Sequence, residues 1–544
     1  MAETYDGAGA QRTAPGDPGT GTTKGAKPGT GVDFQHRDYK RMADVWRTCR
    51  DVSLGQRAVH AGGTRYLPTL KDELKQDYQA RLMRTPFYNA SWRTIAGLRG
   101  MMFRKPPKVD APAAVTEMLK DVTMSGISLE LLAQTVAEEA LTLGRVGVLV
   151  DYPMAPESKP GSPRPALTLA DAALLKLRPK MGLYKAETII NWRQEFRGNA
   201  YVLTLVVLCE WASKHDEFAE TQVEQRRVLR LDASGNYFQQ IYERDRRGVF
   251  VQTATGDLYP QMNSKNLTFI PFAFIGPDDA TPEVDDPPLI DLFDMNLSHF
   301  RTRADYEHGC HFTGLPTPVV AGYRAKPEEK FYIGSLSAWV FPDPTAHASY
   351  LEFSGAGMSA LKENMADKVS EMAALGARML EPRVRGVESA ETAGIHRAGE
   401  EAMLASVGTA ISIGLSKAVK WFSDWAGGQG KAEITLNDDY YPTQLDPAMI
   451  LSIMQSWQAG MPGFSDQNIY DKFQRGGFAD PDVTLEEEQA RIKAHPPPQP
   501  KGAGPGPGDL AVVAANAARG AAKGKAQGAA KAAAAGGGDN LKGK

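Results

Sequence analysis

An α+β fold is what the sequence predicts, and three observations carry that prediction. Apolar residues recur at helical spacing on both flanks of the chain, short strand-like runs crowd its middle, and breaks rich in Pro and Gly separate the two patterns. The chain has 544 residues, enough for about three to five domain-sized units. Hydrophobic residues are 42% and charged residues 23%, so there is ample material for a large core.

Residues 1–33 are Gly, Thr, Pro and Ala with scattered charges; they offer little apolar area to bury and read as a disordered arm. Residues 34–50 and 68–104 read as helical, with Pro68 near a start and Pro86 interrupting. Two further helices are expected over 112–122 and 128–143, with Ser128 as the cap of the second. Gly144–Asp151 reads as a turn into a buried strand. A β-rich stretch over 186–275 contains Tyr201–Glu210, Val223–Leu231, Tyr237–Tyr242, Val249–Thr253 and Thr268–Ile275; the Asn, Gly and Asp turns between them predict an antiparallel sheet.

From Pro287 the pattern turns helical. Leu289, Phe293, Leu297, Phe300 and Ala304 mark one face to about Phe312. The compact segment 313–356 holds two strand candidates, Thr317–Ala321 and Ala338–Phe341. A second helix from Gly357 to about Leu380 places Leu361, Met365, Val369, Met372 and Leu375 on one side. After a break over Pro382–Gly394, a third helix near 395–424 carries Leu404, Val407, Ile411, Leu415, Val419 and Phe422. Thr484 followed by Glu486–Glu488 is a capping pattern, His495-Pro-Pro-Pro-Gln-Pro stops the last helix, and 496–544 is a disordered basic tail of Gly, Ala and Lys.

Lys and Arg number 62 against 65 Asp and Glu, for a net charge of −3. A protein that grips nucleic acid over a broad face is usually strongly basic, so only local basic strips remain for that role. The longest strongly apolar run, Tyr201–Trp211, is too short to span a bilayer, and the N-terminus lacks a basic-then-apolar signal pattern. Cys49, Cys209 and Cys310 are too scattered for a disulfide framework, so a reducing cytosol or a particle assembled there is expected.

Chemistry-bearing motifs are weak. Gly19-Thr-Gly-Thr-Thr-Lys-Gly25 lacks phosphate-loop spacing and a preceding strand, and Gly427-Gly-Gln-Gly-Lys431 follows a helix. His308-Gly-Cys-His311 is the densest cluster of ligand types, but it stands alone at the end of a helical stripe, where packing accounts for it. Asp285-Asp286 before Pro287 reads as helix capping. No catalytic constellation, cofactor site or metal site is expected.

Several passages, taken in order, resemble tailed-bacteriophage portal proteins. They are Tyr66-Leu-Pro68, Tyr78-Gln-Ala-Arg81, Phe87-Tyr-Asn89, Met102-Phe-Arg-Lys-Pro106, Gly144-Arg-Val-Gly-Val-Leu-Val-Asp-Tyr-Pro153 and Ile190-Asn-Trp-Arg193. Then follow Pro287-Pro-Leu-Ile-Asp-Leu292, Asn296-Leu-Ser-His299, Ala304-Asp305, Pro316-Thr-Pro318, Tyr350-Leu-Glu-Phe-Ser-Gly355, Leu375-Gly-Ala-Arg378 and Glu391-Thr-Ala393. The resemblance covers about residues 36–490 and leaves both arms out.

The resemblance implies a ring, usually dodecameric, at one capsid vertex of a virion assembled in the host cytoplasm. It implies a mixed wing over 34–286, stem helices over 287–312 and 357–381, and a small α/β clip over 313–356. A tunnel loop over 382–394, a wing helix over 395–426 and a wing completion with helical crown over 427–495 would follow. Its partners would be double-stranded DNA in transit, terminase, a head-tail adaptor, the major capsid protein and scaffold or internal core proteins, with no membrane. On that plan Leu297, Phe300, Met365 and Met372 pack the stem. Tyr323, Arg324 and Lys326 are clip candidates for adaptor contact. Arg383 and Arg385 are tunnel candidates for DNA, or else partners of Glu381, Glu388 or Glu391. Two other readings stay open: another virion component such as a scaffold or adaptor, and a soluble enzyme without a recognisable motif.

Overall fold

In the computed structural model, the described residues are 31–153, 177–263, 265–314, 317–322, 331, 339–342, 344–351, 356–377, 390–438, 440, 447–459, 465–475, 478–480 and 483–495. The tail 496–544, and the expected arm up to residue 30, lie outside them. The chain divides into two compact units, residues 1–440 and 441–544.

The first unit opens on residues 31–33, which the sequence places in the arm. They are tied down instead: Arg226 donates to Asp33 at 3.0 Å, and Val32 packs beside Ile190, Val207 and Val228. Helix α1 spans Arg37–Leu54, with the His36 ring accepting the Asp38 amide. It ends at Gly55, whose φ of 88° is left-handed and favours glycine. The short α2, Gln56–Gly62, follows directly. The expected helix over 68–104 is two shorter ones, α3 over Lys75–Arg84 and α4 over Ala90–Met102. Residues 68–74 stay out of the helix because Glu73 accepts the Leu70 amide and a two-pronged contact from buried Arg81, which also donates to the Pro68 carbonyl. The helix expected over 112–122 shrinks to α5, Ala113–Thr116, and a single 3-10 turn. There Asp121 receives the Gly126 amide and Arg178, which closes the chain into a turn. Helix α6, Leu129–Leu143, is capped by Ser128.

Strand β1, Lys108–Asp110, lies between α4 and α5. Strand β2, Val146–Asp151, is the centre of a three-stranded antiparallel sheet between β3, Lys180–Lys185, and β11, Phe272–Ile275. Five strands form a second, antiparallel meander: β4 Ile189–Arg197, β5 Ala200–Asp216, β6 Ala219–Leu231, β7 Tyr237–Arg244 and β8 Phe250–Gln252. A two-residue pair, β9 Gln261–Met262 with β10 Lys265–Asn266, leads to β11.

Helix α7 spans Ile290–Gly314, α8 Ala356–Met372 and α9 Ala390–Trp425. Between α7 and α8 lies the antiparallel pair β12 Thr317–Ala321 and β13 His347–Leu351. The strand expected at Ala338–Phe341 is absent from its described residues, 339–341; Pro342 and Pro344 lack amide donors, and the pairing strand begins after them. Helix α9 starts within the expected loop, because Ala390 and Glu391 are good helix formers and Gly394 is tolerated inside a helix. Strand β14, Glu433–Thr435, returns to pair with β1.

The α9 stripe Leu404, Val407, Ile411, Leu415, Val419 and Phe422 is buried throughout and forms the centre of the core. It packs on α6, β2, β11 and β14. A Cβ on Gly414 would meet Ile275 at 2.5 Å, so glycine permits that helix–strand approach.

The second unit contains α10 Pro447–Gln458, α11 Asp466–Arg475 and α12 Leu485–Ala494. The Thr484 hydroxyl accepts the Glu487 amide and the Glu487 carboxylate accepts the Thr484 amide, a reciprocal capping box. The Tyr470 hydroxyl donates to the Val483 carbonyl, which ties α11 to the start of α12.

Candidate functional site: a helical hairpin with a β tip

Helices α7 and α8 run antiparallel. A Cβ on Gly309 would meet Met358, Lys368 reaches Ser298 and Thr302, and Gly376 faces Leu289 and Leu292. Among the described residues, burial of the hairpin concentrates at one end. Every fully buried position of α7 lies between Leu292 and Ala304, whereas Phe312, nearer the β12–β13 tip, is 51% exposed.

Three polar anchors hold the buried end. The Asn296 carbonyl oxygen accepts the Ser91 amide and hydroxyl, and its amide donates to the Tyr88 carbonyl at 2.7 Å. Arg301 donates to the Tyr66 carbonyl. Lys368 donates to the Thr302 hydroxyl at 2.6 Å and so stitches the two helices together. Burial, and then the nearby Arg303 and Lys368, push the His299 imidazole below its ordinary range, so it packs as a neutral ring beside Tyr88. The α8 helix ends in a kinked π-type turn at Ala373–Ala377. Gly376 sits there because a Cβ would press on Thr94 at 3.0 Å.

Leu297, Phe300, Met365 and Met372 are all buried in this hairpin. Tyr323, Arg324, Lys326, Arg383 and Arg385 lie outside the described residues. The α8 stripe is only partly covered: Val369 is 38% and Leu375 41% exposed.

The chain entering α7 holds an electrostatic corner. Arg145 is buried against the rings of Trp192 and Phe274, at 3.9 and 4.6 Å from their centroids. Its three guanidinium nitrogens have no hydrogen-bond partner, and burial pushes the group down to about 9. Asp285 lies near it. Burial, then Asp279 and Asp278, raise that carboxyl to about 6. The expected capping role of Asp285 and Asp286 does not hold: the helix begins at Ile290, Pro287-Pro288 hold both carboxylates back, and Asp286 turns to Arg41 at 3.4 Å.

A second polar cluster joins the two larger sheets. Tyr184 donates to Glu210, and Arg227 donates to Glu210 at 2.7 Å and to Gln239 at 2.8 Å. Gln239 in turn donates to Asp151 at 2.9 Å. Each member is held by another, so the cluster acts as a clamp between strands. A third joins α1, α6 and the turn before β4, where Arg50 binds Glu139 and Glu187 together. None of the three clusters is legible in the sequence, because the residues that meet in them come from separate parts of the chain and match no motif.

His308 and His311 flank Phe312 as ring contacts. Among the described residues there is no group of three or more His, Cys, Asp or Glu arranged to hold a metal. No described helix is long and apolar enough to cross a membrane.

Residues 288–426 match a family model described as a domain of unknown function, DUF4055. The match begins two residues before α7 and ends one residue after α9. It therefore spans the hairpin, its β tip and the long core helix. No curated relative matches. Among solved structures, the chain is similar to one from the virion of a native gene transfer agent particle, at 14% identity and TM-score 0.35, covering 74% of this chain and 93% of that one. It is also similar to chains from the neck of the empty particle computed with C6 symmetry (14%, TM-score 0.34, covering 73% and 92%) and from the neck of the native particle computed with C12 symmetry (14%, TM-score 0.33, covering 71% and 90%).

Proposed function

We propose that this chain is the subunit of a portal-type ring at one capsid vertex, a conduit for double-stranded DNA during packaging and ejection. The observation that carries the reading is the hairpin: two antiparallel helices, a small β pair between them in the chain, and then a 36-residue helix through the core. This succession of elements supports the stem, clip, stem and wing-helix order implied by the sequence resemblance. A near-neutral chain also suits a conduit, since each lasting Lys or Arg contact to phosphate adds affinity through counterion release and would hold DNA rather than let it slide.

On this reading the free end of the hairpin, residues 313–356, docks terminase and later an adaptor, with Tyr323, Arg324 and Lys326 as contact residues. Arg383 and Arg385, between α8 and α9, face the bore. The test is the mass and image of the purified full-length chain. Rings with a central hole are expected. A homogeneous monomer, dimer or tetramer at high concentration is the usual state of an enzyme of this size and refutes the reading. Within intact rings, Arg383→Ala with Arg385→Ala should alter packaged genome length; wild-type packaging and retention would remove DNA contact from these two residues.

A further inference from the structure

The β5–β6 hairpin outgrows its sheet. Strand β4 pairs with β5 only as far as Leu208, and β7 pairs with β6 only from Gln225 onward. Residues 211–216 and 219–224 therefore pair with each other alone. A two-stranded ribbon is marginally stable by itself, and its outer edges present unpaired backbone groups. This arm also carries apolar side chains that the chain leaves open: Phe218 at its tip is 95% and Trp211 at its base 61% exposed.

The opposite end of β5 carries a second open aromatic patch. Phe196 and Tyr201 are 63% and 73% exposed and pack edge to face, with centroids 5.3 Å apart. Along β5, roughly 30 Å separates Tyr201 from Trp211 and roughly 50 Å separates it from the arm tip. They cannot touch within one copy. Their charges also differ. Asp216, Glu217 and Glu220 surround the arm tip, while the neighbouring Lys214 is engaged by Glu243. Arg193 and Arg197 flank the far patch around a single carboxylate, Glu195.

Two different patches of unlike charge near the two ends of one strand are what a head-to-tail contact between identical copies requires. We infer that the 211–224 arm of one copy docks on the Phe196–Tyr201 patch of a second copy of this chain, with Phe218 against the aromatic pair and the acidic tip beside Arg193 and Arg197. The inference rests on the ring reading and names the surface through which successive subunits join. Aromatic anchors inside a charged rim are the usual energetic centre of such contacts.

The experiment uses the full-length chain and reads assembly by sedimentation velocity. Phe218→Asp changes only an exposed position at the arm tip, so the melting curve stays at the wild-type value while the concentration needed for half-assembly rises about tenfold or more. Arg193→Glu with Arg197→Glu does the same. Adding Asp216→Lys with Glu217→Lys to that reversed base recovers assembly. In a separate variant, Phe218→Cys with Tyr201→Cys gives a ladder of disulfide-linked oligomers under oxidation, and each single cysteine gives none; this readout stands even where a charge variant folds poorly. Wild-type rings with unchanged assembly of the arm variant, or no ladder from the cysteine pair, overturn the inference and leave the ring reading intact. A wild-type chain that never assembles overturns both.

Discussion

Helices α8 and α9 carry apolar stripes of the same spacing, yet only one is consumed by the fold. In α9, Leu404, Val407, Ile411, Leu415, Val419 and Phe422 are each no more than 2% exposed. In α8, Met365 and Met372 are buried, while Val369 on the same helix and Leu375 in the π-type turn that follows stay more than a third open. Sheets and helices surround α9 from several directions; α8 has α7 on one flank and, near its end, α4. An identical sequence signal therefore marks a core helix in one case and a half-covered surface in the other. Burial depends on what the topology brings alongside, and periodicity cannot report that.

The comparison breaks most visibly at the centre of α9. Ile411→Asp buries an unpaired charge and should cost upward of about 4 kcal/mol, read as a collapse of the urea midpoint. Wild-type stability would mean that α9 is not the core. Next in size is Met372→Ala, at the covered position of α8, expected to cost about 2–4 kcal/mol. A loss below about 1 kcal/mol would place α8 outside the packed region.

Asp285 gives a pH signature at the entry to α7. Its folded-state carboxyl is raised to about 6 by burial, then Asp279 and Asp278. The folded chain therefore holds this proton more tightly than the unfolded chain, and stability is fully present below about pH 4 and lost as pH rises through about 6. The carboxyl is partly open to solvent, so screening holds the effect to on the order of 1 kcal/mol. Asp285→Asn should raise the melting temperature at pH 8 and flatten its fall between pH 4 and 7; an unchanged profile would remove Asp285 as its source. Thr484→Ala, at the capping box of α12, should cost about 1 kcal/mol locally, seen as faster amide exchange over 485–494. The smallest effect on the chain itself belongs to Val369→Ser with Leu375→Ser. Stability should move by no more than about 0.5 kcal/mol, while half-assembly shifts to higher concentration. Equal assembly would show that solvent, not a neighbour, covers the open half of the stripe.

Local signals survived where local chemistry decides. Ser128 caps α6, Thr484 and Glu487 close their box, Gly144 turns the chain into β2, and the stripes of α7 and α9 are buried. Each depends on residues within a few positions of one another, so composition and spacing determine it. Strand β3 was not legible, because its partner strand lies about thirty residues upstream. Nor was the failure of residues 68–74 to join a helix, which Arg81 and Glu73 decide by pairing across the turn.

The sequence by itself determined the α+β class, the order helix, β insert, helix, break, helix, and the apolar faces that build the core. The tertiary structure alone decided where charge is buried. Arg145 reaches Trp192 and Phe274 from far along the chain, and Arg50 gathers Glu139 and Glu187. It alone also decided which apolar surface is left over, on α8 and at the two ends of β5. The physical reason is common to both: desolvation and contact are properties of neighbours in space, and neighbours far apart in sequence leave no period to read.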